Sequence, residues 1–221
     1  MQATRVAPSI LASDFARLGA EVEAVMSAGA RVIHVDVMDG HFVPPISIGA
    51  LVVEALRDQV HAAGGLLDVH LMVDRPERRL DDFIAAGADA ISVHWEATPH
   101  VHYALKAVRE AGLAAGLAIN PATPPEAVAE LADAYDHLLC MTVNPGWGGQ
   151  PYIESSTAKV ARLRELLPDE MPIEVDGGID VETARVTAEA GATLFVAGSS
   201  IFGESDPAAA YTAIAEAAGA V

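Results

Sequence analysis

Cysteine is almost missing from this chain. Cys140 stands alone among 221 residues, so no disulfide can form within the chain. A single thiol is the pattern of a reducing compartment, and the cytoplasm is the expected location. Lysine is nearly as scarce, with only Lys106 and Lys159 present. Lysine and arginine together number 13 against 31 aspartates and glutamates, a formal charge of −18. That charge repels nucleic-acid backbones and anionic membrane surfaces, so neither is an expected partner. It repels an anionic substrate as well. A sugar phosphate would have to be held by local backbone N–H groups or a metal, not by the overall field. No apolar run approaches the roughly 20 residues of a membrane span. The start, Met1-Gln2-Ala3-Thr4-Arg5, lacks the apolar stretch of a secretory signal.

Hydrophobic residues make up 52% of the sequence and charged residues 20%, as in soluble globular proteins. One unit recurs along the chain: a short β-branched run, a loop, then an Ala-rich amphipathic run. Strands are expected over residues 6–11, 31–37, 66–71, 90–94, 113–119, 137–142, 172–175 and 193–196. Helices are expected over 15–27, 48–60, 76–86, 99–111, 125–132, 153–167, 181–190 and 207–218. Asp14 is placed to cap the first helix and Gly29 to stop it. Ala-Gly steps at Gly29, Gly87, Gly112 and Gly191 close helices and feed the next strand. Alternating strands and helices make a parallel sheet covered by helices. Eight units without a linker fit an α/β fold of one kind, a single (β/α)8 TIM barrel spanning 1–221 as one catalytic domain.

Chemistry in such a barrel sits at the C-terminal ends of the strands. The unusual polar residues gather there: Ser9, His34 and Asp36, His70, His94 and Glu96, Asn120, Asn144, Asp176, and Gly198-Ser199-Ser200. Core packing does not explain such a collection. In 33–40, His34, Asp36 and Met38 alternate with Val35 and Val37, so the imidazole, the carboxylate and the thioether share one strand face. A buried His–Asp pair is either a structural ion pair or a shared metal site. His34, Asp36, His70 and Asp176 would offer two imidazoles and two carboxylates, a set suited to zinc, iron, manganese or cobalt. No metal-motif spacing links them, so both readings stay open at this point.

Three glycine-rich turns follow the sixth, seventh and eighth strands: Asn144-Pro145-Gly146-Trp147-Gly148-Gly149, Asp176-Gly177-Gly178-Ile179 and Ala197-Gly198-Ser199-Ser200. Glycines let backbone N–H groups approach an anion, and the last two turns are the usual phosphate site of this architecture. Asp36 and Asp176 come from strands three steps apart round the ring. They can reach one carbon from different sides, one removing a proton and the other returning it. The plainer role for Asp176 is to anchor its own turn. Met38, Met72 and Met141 lie near strand ends, as core filling or as an apolar lining that excludes water. His94 and Glu96 are either support for the site or a solvated pair. His61, His100, His102 and His137 read as helix or loop residues without a role.

Taken together, these motifs resemble the ribulose-phosphate 3-epimerase family nearly end to end. The resemblance rests on 7–11 (APSIL), 34–44 (HVDVMDGHFVP), 68–73 (DVHLMV), 143–150 (VNPGWGGQ), 175–179 (VDGGI) and 197–202 (AGSSIF). It implies interconversion of D-ribulose 5-phosphate and D-xylulose 5-phosphate in the pentose phosphate pathway. It implies one divalent metal on His34, Asp36, His70 and Asp176, with Asp36 and Asp176 as the acid–base pair working through a 2,3-enediolate. Ser9, His70 and Asp176 would touch substrate. Gly146, Trp147, Gly148, Gly149, Gly177, Gly178, Gly198 and Ser199 would hold it, chiefly by its phosphate. A homo-oligomer, dimer or hexamer, is the implied assembly.

Two positions depart from the family pattern. Pro45 stands where asparagine is expected and Trp147 where phenylalanine is usual. Pro45 removes a backbone donor and a side-chain amide, so loop closure or substrate preference is open to change. Epimerases of D-allulose 6-phosphate share most of these motifs and are the nearest rival. A metal-assisted decarboxylase would place a lysine beside its aspartates at a strand end, and neither lysine falls there. A non-catalytic sugar-phosphate sensor would not need a proton-transfer pair.

Overall fold

The β-branched runs form strands of four to seven residues, and the Ala-rich runs between them form helices that cover the ring. The computed structural model describes residues 4–220; the first three residues of the leader-free start expected above lie outside them, as does 221. The strands are Arg5–Pro8 (β1), Val32–Met38 (β2), Leu66–Met72 (β3), Ala90–His94 (β4), Ala114–Ile119 (β5), His137–Met141 (β6), Ile173–Asp176 (β7) and Leu194–Ala197 (β8). The helices are Leu18–Ser27 (α1), Ala50–Ala62 (α2), Leu80–Ala86 (α3), Val101–Glu110 (α4), Ser155–Leu166 (α5), Val181–Glu189 (α6), Ser199–Phe202 (α7) and Pro207–Ala218 (α8). All paired strands are parallel, in the order β1-β8-β7-β6-β5-β4-β3-β2. A single bridge between Ser9 and His34 closes the ring between β1 and β2. The fold is a (β/α)8 barrel. Among the described residues no helix is long and apolar enough to cross a membrane.

The helix stops fall where the sequence places them. Gly87 ends α3 in the left-handed region at φ 96°, donating back to the carbonyls of Phe83 and Ile84. β4 and α8 keep their expected bounds, but several other elements are shorter than expected. The first strand ends at Pro8, not residue 11. The Ser9 hydroxyl accepts from the N–H of Leu11 and turns the chain into the 3-10 turn Ile10–Ala12. A side chain offering its own backbone a partner competes with the strand ladder. Asp14 does cap, accepting from Ala16, but it opens the 3-10 turn Phe15–Arg17 ahead of α1. The expected helix over 125–132 is a 3-10 segment, Pro125–Leu131, with proline at its start.

The outward residues of the strands, such as Val35, Val69, Ile91, Leu117 and Val175, pack with the helices into one large apolar layer. The inside of the barrel differs. Among the described residues its apolar groups are small: Ala7-Val32-Leu194-Val196, Ala118-Leu139-Met141-Val143 and, toward the mouth, Met38-Val43-Met72. Between them lie buried polar side chains, including His34, Asp68, His70, Ser92, His94, His137 and Glu174, each at most 2% exposed. His137 is therefore no loop residue. It opens β6 inside the barrel, beside Ser92, whose hydroxyl lies 3.0 Å from its Nε2. A side chain at Gly116 would collide with both, so the missing Cβ makes their room.

Cys140 points into the apolar layer and is fully buried. Burial pushes its thiol up to about 11, against a weak opposing pull from Lys159. The thiolate is the reactive form. At pH 8 the native protein is expected to leave a thiol-titrating disulfide reagent unreacted, and the denatured protein to consume one equivalent. Rapid native labelling would show that the β6–α5 layer opens.

Candidate active site

Three strands carry two ionisable groups each, two residues apart and so on one face: His34 and Asp36 on β2, Asp68 and His70 on β3, Glu174 and Asp176 on β7. The register of β2 and β3 sets His34 beside Asp68 and Asp36 beside His70. The groups form two tiers along the barrel axis. Asp36 and Asp176 reach the mouth. Asp68 and Glu174 lie beneath, and His34 joins the tiers. His34 Nδ1 is 2.8 Å from Asp68 Oδ2 and 3.3 Å from Glu174 Oε1, and its Nε2 is 3.3 Å from Asp36 Oδ1. His70 Nδ1 lies between the two upper carboxylates, 3.1 Å from Asp36 and 3.3 Å from Asp176. Ser9 donates to Asp36 Oδ2 at 2.6 Å.

One donor atom from each of His34, Asp36, His70 and Asp176 falls within 4.8 Å of the others. His34 Nε2 is buried yet makes no hydrogen bond. A buried nitrogen without a hydrogen bond, grouped with two carboxylates and a second imidazole, fits a metal ligand. The four residues fit a divalent metal, and this buried group can bind one. His34, Asp68 and Glu174 pass the same distance test. They suit the role less well. Burial and the charge of Asp68 push Glu174 up to about 8, so it keeps its proton at neutral pH.

The upper carboxylates are driven apart in acidity. Burial opposes the charge of Asp36, but His34 and His70 outweigh it and hold the carboxyl well below the usual range. Burial and the charge of Asp36 push Asp176 the other way, upward. His70 rises to about 9, because its bonds to Asp176 and Asp36 outweigh burial. Burial, with His70 beside it, takes His94 down to about 4 and leaves it neutral. Two titratable groups pushed in opposite directions are the usual mark of an acid and a base.

Above these groups opens a cavity of about 640 Å³. Ser9, Asp36, Met38, Met72, Met141, Gly146, Trp147, Gly148, Gly149, Asp176, Gly177, Gly178, Gly198 and Ser199 all line it. Of the residues expected in the site, only His34 and His70 lie beneath the wall. Gly178 could be nothing else: its φ is 66°, and a Cβ would sit 2.6 Å from the backbone nitrogen of Tyr152. The first N–H groups of α7, which follow Gly198, have no acceptor within their own helix. Among the described residues no lysine or arginine lines the cavity. Lys159 instead donates to the carbonyls of Asn120 and Pro121.

Several contributors escaped the sequence reading. Ser47 donates to the carbonyl of Asp36 at 2.7 Å and accepts from the N–H of Met38, tying the second loop to β2. Gln150 donates to the carbonyls of Asn144 and Trp147 and staples the glycine loop. Asp68 and Glu174 each stand two residues before a singled-out group, but nothing local shows that they turn inward. His94 and Glu96 are no solvated pair: His94 is fully buried and bonded on both ring nitrogens. Pro45 lines the cavity, and its carbonyl accepts from Gly40 at 2.9 Å.

The class so defined is a (β/α)8 barrel with a carboxylate pair and an imidazole, groups able to move protons, at the C-terminal ends of its strands. Comparison with known proteins narrows this class. The profile of the Ribulose-phosphate 3 epimerase family matches residues 5–202. The ribulose-phosphate 3-epimerase of Bacillus subtilis (strain 168) is 48% identical over 206 residues, covering 91% of this chain and 94% of that protein. That of Rhodobacter capsulatus is 49% identical over 199 residues, covering 90% and 86%. The chain belongs to the ribulose-phosphate 3-epimerase family and is an epimerase, an enzyme of the isomerase class. Among solved structures, KGPDC from Streptococcus mutans in complex with D-R5P shares the fold, with a TM-score of 0.76 at 18% identity over 98% of this chain and 97% of that one.

Proposed function

We propose that the protein interconverts D-ribulose 5-phosphate and D-xylulose 5-phosphate by moving a proton at C3. The observation that carries this is the pair Asp36 and Asp176, pushed apart in acidity while both face the Nδ1 of His70. Asp36 is the base held ready in its charged form. It takes the C3 proton on one face and leaves a 2,3-enediolate. Asp176, which burial favours in the protonated form, returns a proton to the other face. The reverse reaction exchanges the roles. The Ser9 hydroxyl holds Asp36 in place during the transfer. Met38, Met72 and Met141 keep water from the intermediate.

A divalent ion on His34, Asp36, His70 and Asp176, one per subunit and of the zinc, iron, manganese or cobalt type, would stabilise the developing negative charge. The phosphate lies against backbone N–H groups of Gly146 to Gly149, Gly177, Gly178, Gly198 and Ser199, under Trp147. Backbone recognition suits a cavity wall without lysine or arginine, and the missing lysine argues against the decarboxylase reading. The protein works as one catalytic domain over 1–221, as a homo-oligomer, dimer or hexamer, in the cytoplasm. Its partner is the sugar phosphate, and the chemistry calls for neither nucleic acid nor membrane.

The purified protein should show a kcat/KM for D-ribulose 5-phosphate at least about 10-fold above that for D-allulose 6-phosphate, the scale on which a pocket resolves one carbon unit. Coupled assays with both substrates measure it. A preference for the six-carbon substrate would assign the protein to the rival, with Pro45 and Ile46 in the cavity wall the first positions to change.

A further inference from the structure

His70 faces the site through Nδ1, and its other nitrogen faces away. His70 Nε2 lies 2.8 Å from Nε2 of His94. His94 Nδ1 lies 3.2 Å from Oε2 of Glu96. The second oxygen, Glu96 Oε1, accepts from the backbone N–H of Asn120 at 2.8 Å and from the hydroxyl of Thr123. These contacts form one line, from the chain after β5 through β4 to the centre of the barrel. His94 and Glu96 both lie outside the cavity wall. Phe42 covers the His94 ring, with centroids 4.8 Å apart.

The direction of this line follows from what each group can donate. A carboxylate only accepts, and a neutral imidazole carries one ring proton. The proton of His94 must then be on Nδ1, pointing at Glu96. Its Nε2 is left as an acceptor, and His70 has to donate to it through Nε2. In the neutral form that a metal requires, the proton that the two carboxylates hold on His70 Nδ1 is given up, and that nitrogen directs a lone pair between Asp36 and Asp176. His34 obtains its orientation more simply, from Asp68 at 2.8 Å. For His70 the orienting carboxylate stands one imidazole further off.

We propose that Glu96, acting through His94, is the positioning residue that fixes the tautomer of His70 and keeps its Nδ1 free to bind a metal. The proposal rests on the ligand set named under the proposed function. It separates Glu96 from its neighbours in the outer wall, because the charge and not the shape of the side chain matters. In Glu96→Gln the amide oxygen is expected to stay with its two donors, Asn120 and Thr123, and so turn the NH₂ group toward His94. The line then runs backwards. His94 accepts at Nδ1 and donates from Nε2, and His70 is left with a proton on Nδ1 aimed into the site.

The test is the affinity for Zn²⁺ alone, measured by competition with a chromophoric chelator on wild type, Glu96→Gln and His34→Ala. Wild type is expected to bind one equivalent and Glu96→Gln to bind about 10- to 100-fold more weakly, the usual loss when an outer partner of a ligand is removed. Circular dichroism should be unchanged. If wild type binds no Zn²⁺, or His34→Ala binds as well as wild type, the ligand set itself fails. If wild type binds through His34 and Glu96→Gln matches it, the proposal on Glu96 is overturned. Long-range ¹H–¹⁵N spectra of the wild-type imidazoles, with Zn²⁺ bound, give a second reading that needs no variant. They should show His94 protonated on Nδ1 and bare on Nε2, and the opposite tautomer would overturn the proposal.

Discussion

Asp176→Asn is expected to lower kcat about 1,000-fold while the barrel stays folded, within the range that a positioned proton donor contributes. The asparagine keeps the volume and one oxygen of the carboxyl but has no proton to lose or return. Asp36→Asn should fall at least as far, since that position also carries the charge that raises His70. The two variants separate the two-base scheme from its alternatives. In deuterated water Asp176→Asn keeps Asp36, so it should still exchange the C3 hydrogen of the epimer that faces Asp36, and only of that epimer. Asp36→Asn should show the mirror pattern. Retention of near-wild-type turnover in either variant would sink the scheme. Exchange of both epimers by one variant would reduce it to a single base.

Dialysis against a strong chelator is expected to remove activity almost completely and to lower the melting temperature. Asp36 and Asp176 share a buried site, and the charge of Asp36 already raises the pKa of its neighbour. An ion between them relieves that repulsion and occupies the orphaned Nε2 of His34. Saturation at about 100 times the dissociation constant would stabilise the fold by roughly 2.7 kcal/mol, all lost on stripping. Titrating zinc, iron, manganese and cobalt back, one at a time, should restore both activity and melting temperature, and the most effective ion indicates the native one. Full activity in protein shown by elemental analysis to be metal-free would remove the ion from the mechanism.

The barrel was legible because its signals are local. Short β-branched runs, a cap at Asp14 and glycine stops such as Gly87 declare themselves within a few residues. The upper tier was legible for a related reason: His34 and Asp36 alternate with valines, and a carboxylate at the end of an apolar strand has few structural uses. The lower tier was not, although Asp68 and Glu174 keep the same two-residue spacing. Whether such a group turns inward depends on how the ring closes, and this is a long-range property. His137 shows the point most clearly. It opens an expected strand yet has no expected role, and its burial depends on a missing side chain at Gly116, on the neighbouring strand. The early end of the first strand was hidden differently, in the choice of the Ser9 hydroxyl to serve its own backbone.

The seam of the barrel bears on how the site is completed. β1 is registered with β8 through four residue pairs but meets β2 through one bridge at Ser9. The first strand of the barrel is thus held chiefly by the last. β2 and β3 pair along seven residues and bring Asp36 to His70, whereas Ser9 reaches Asp36 from a strand that is anchored on β8. The site is therefore completed across the seam, where the last strand of the barrel secures the first and Ser9 is set beside Asp36.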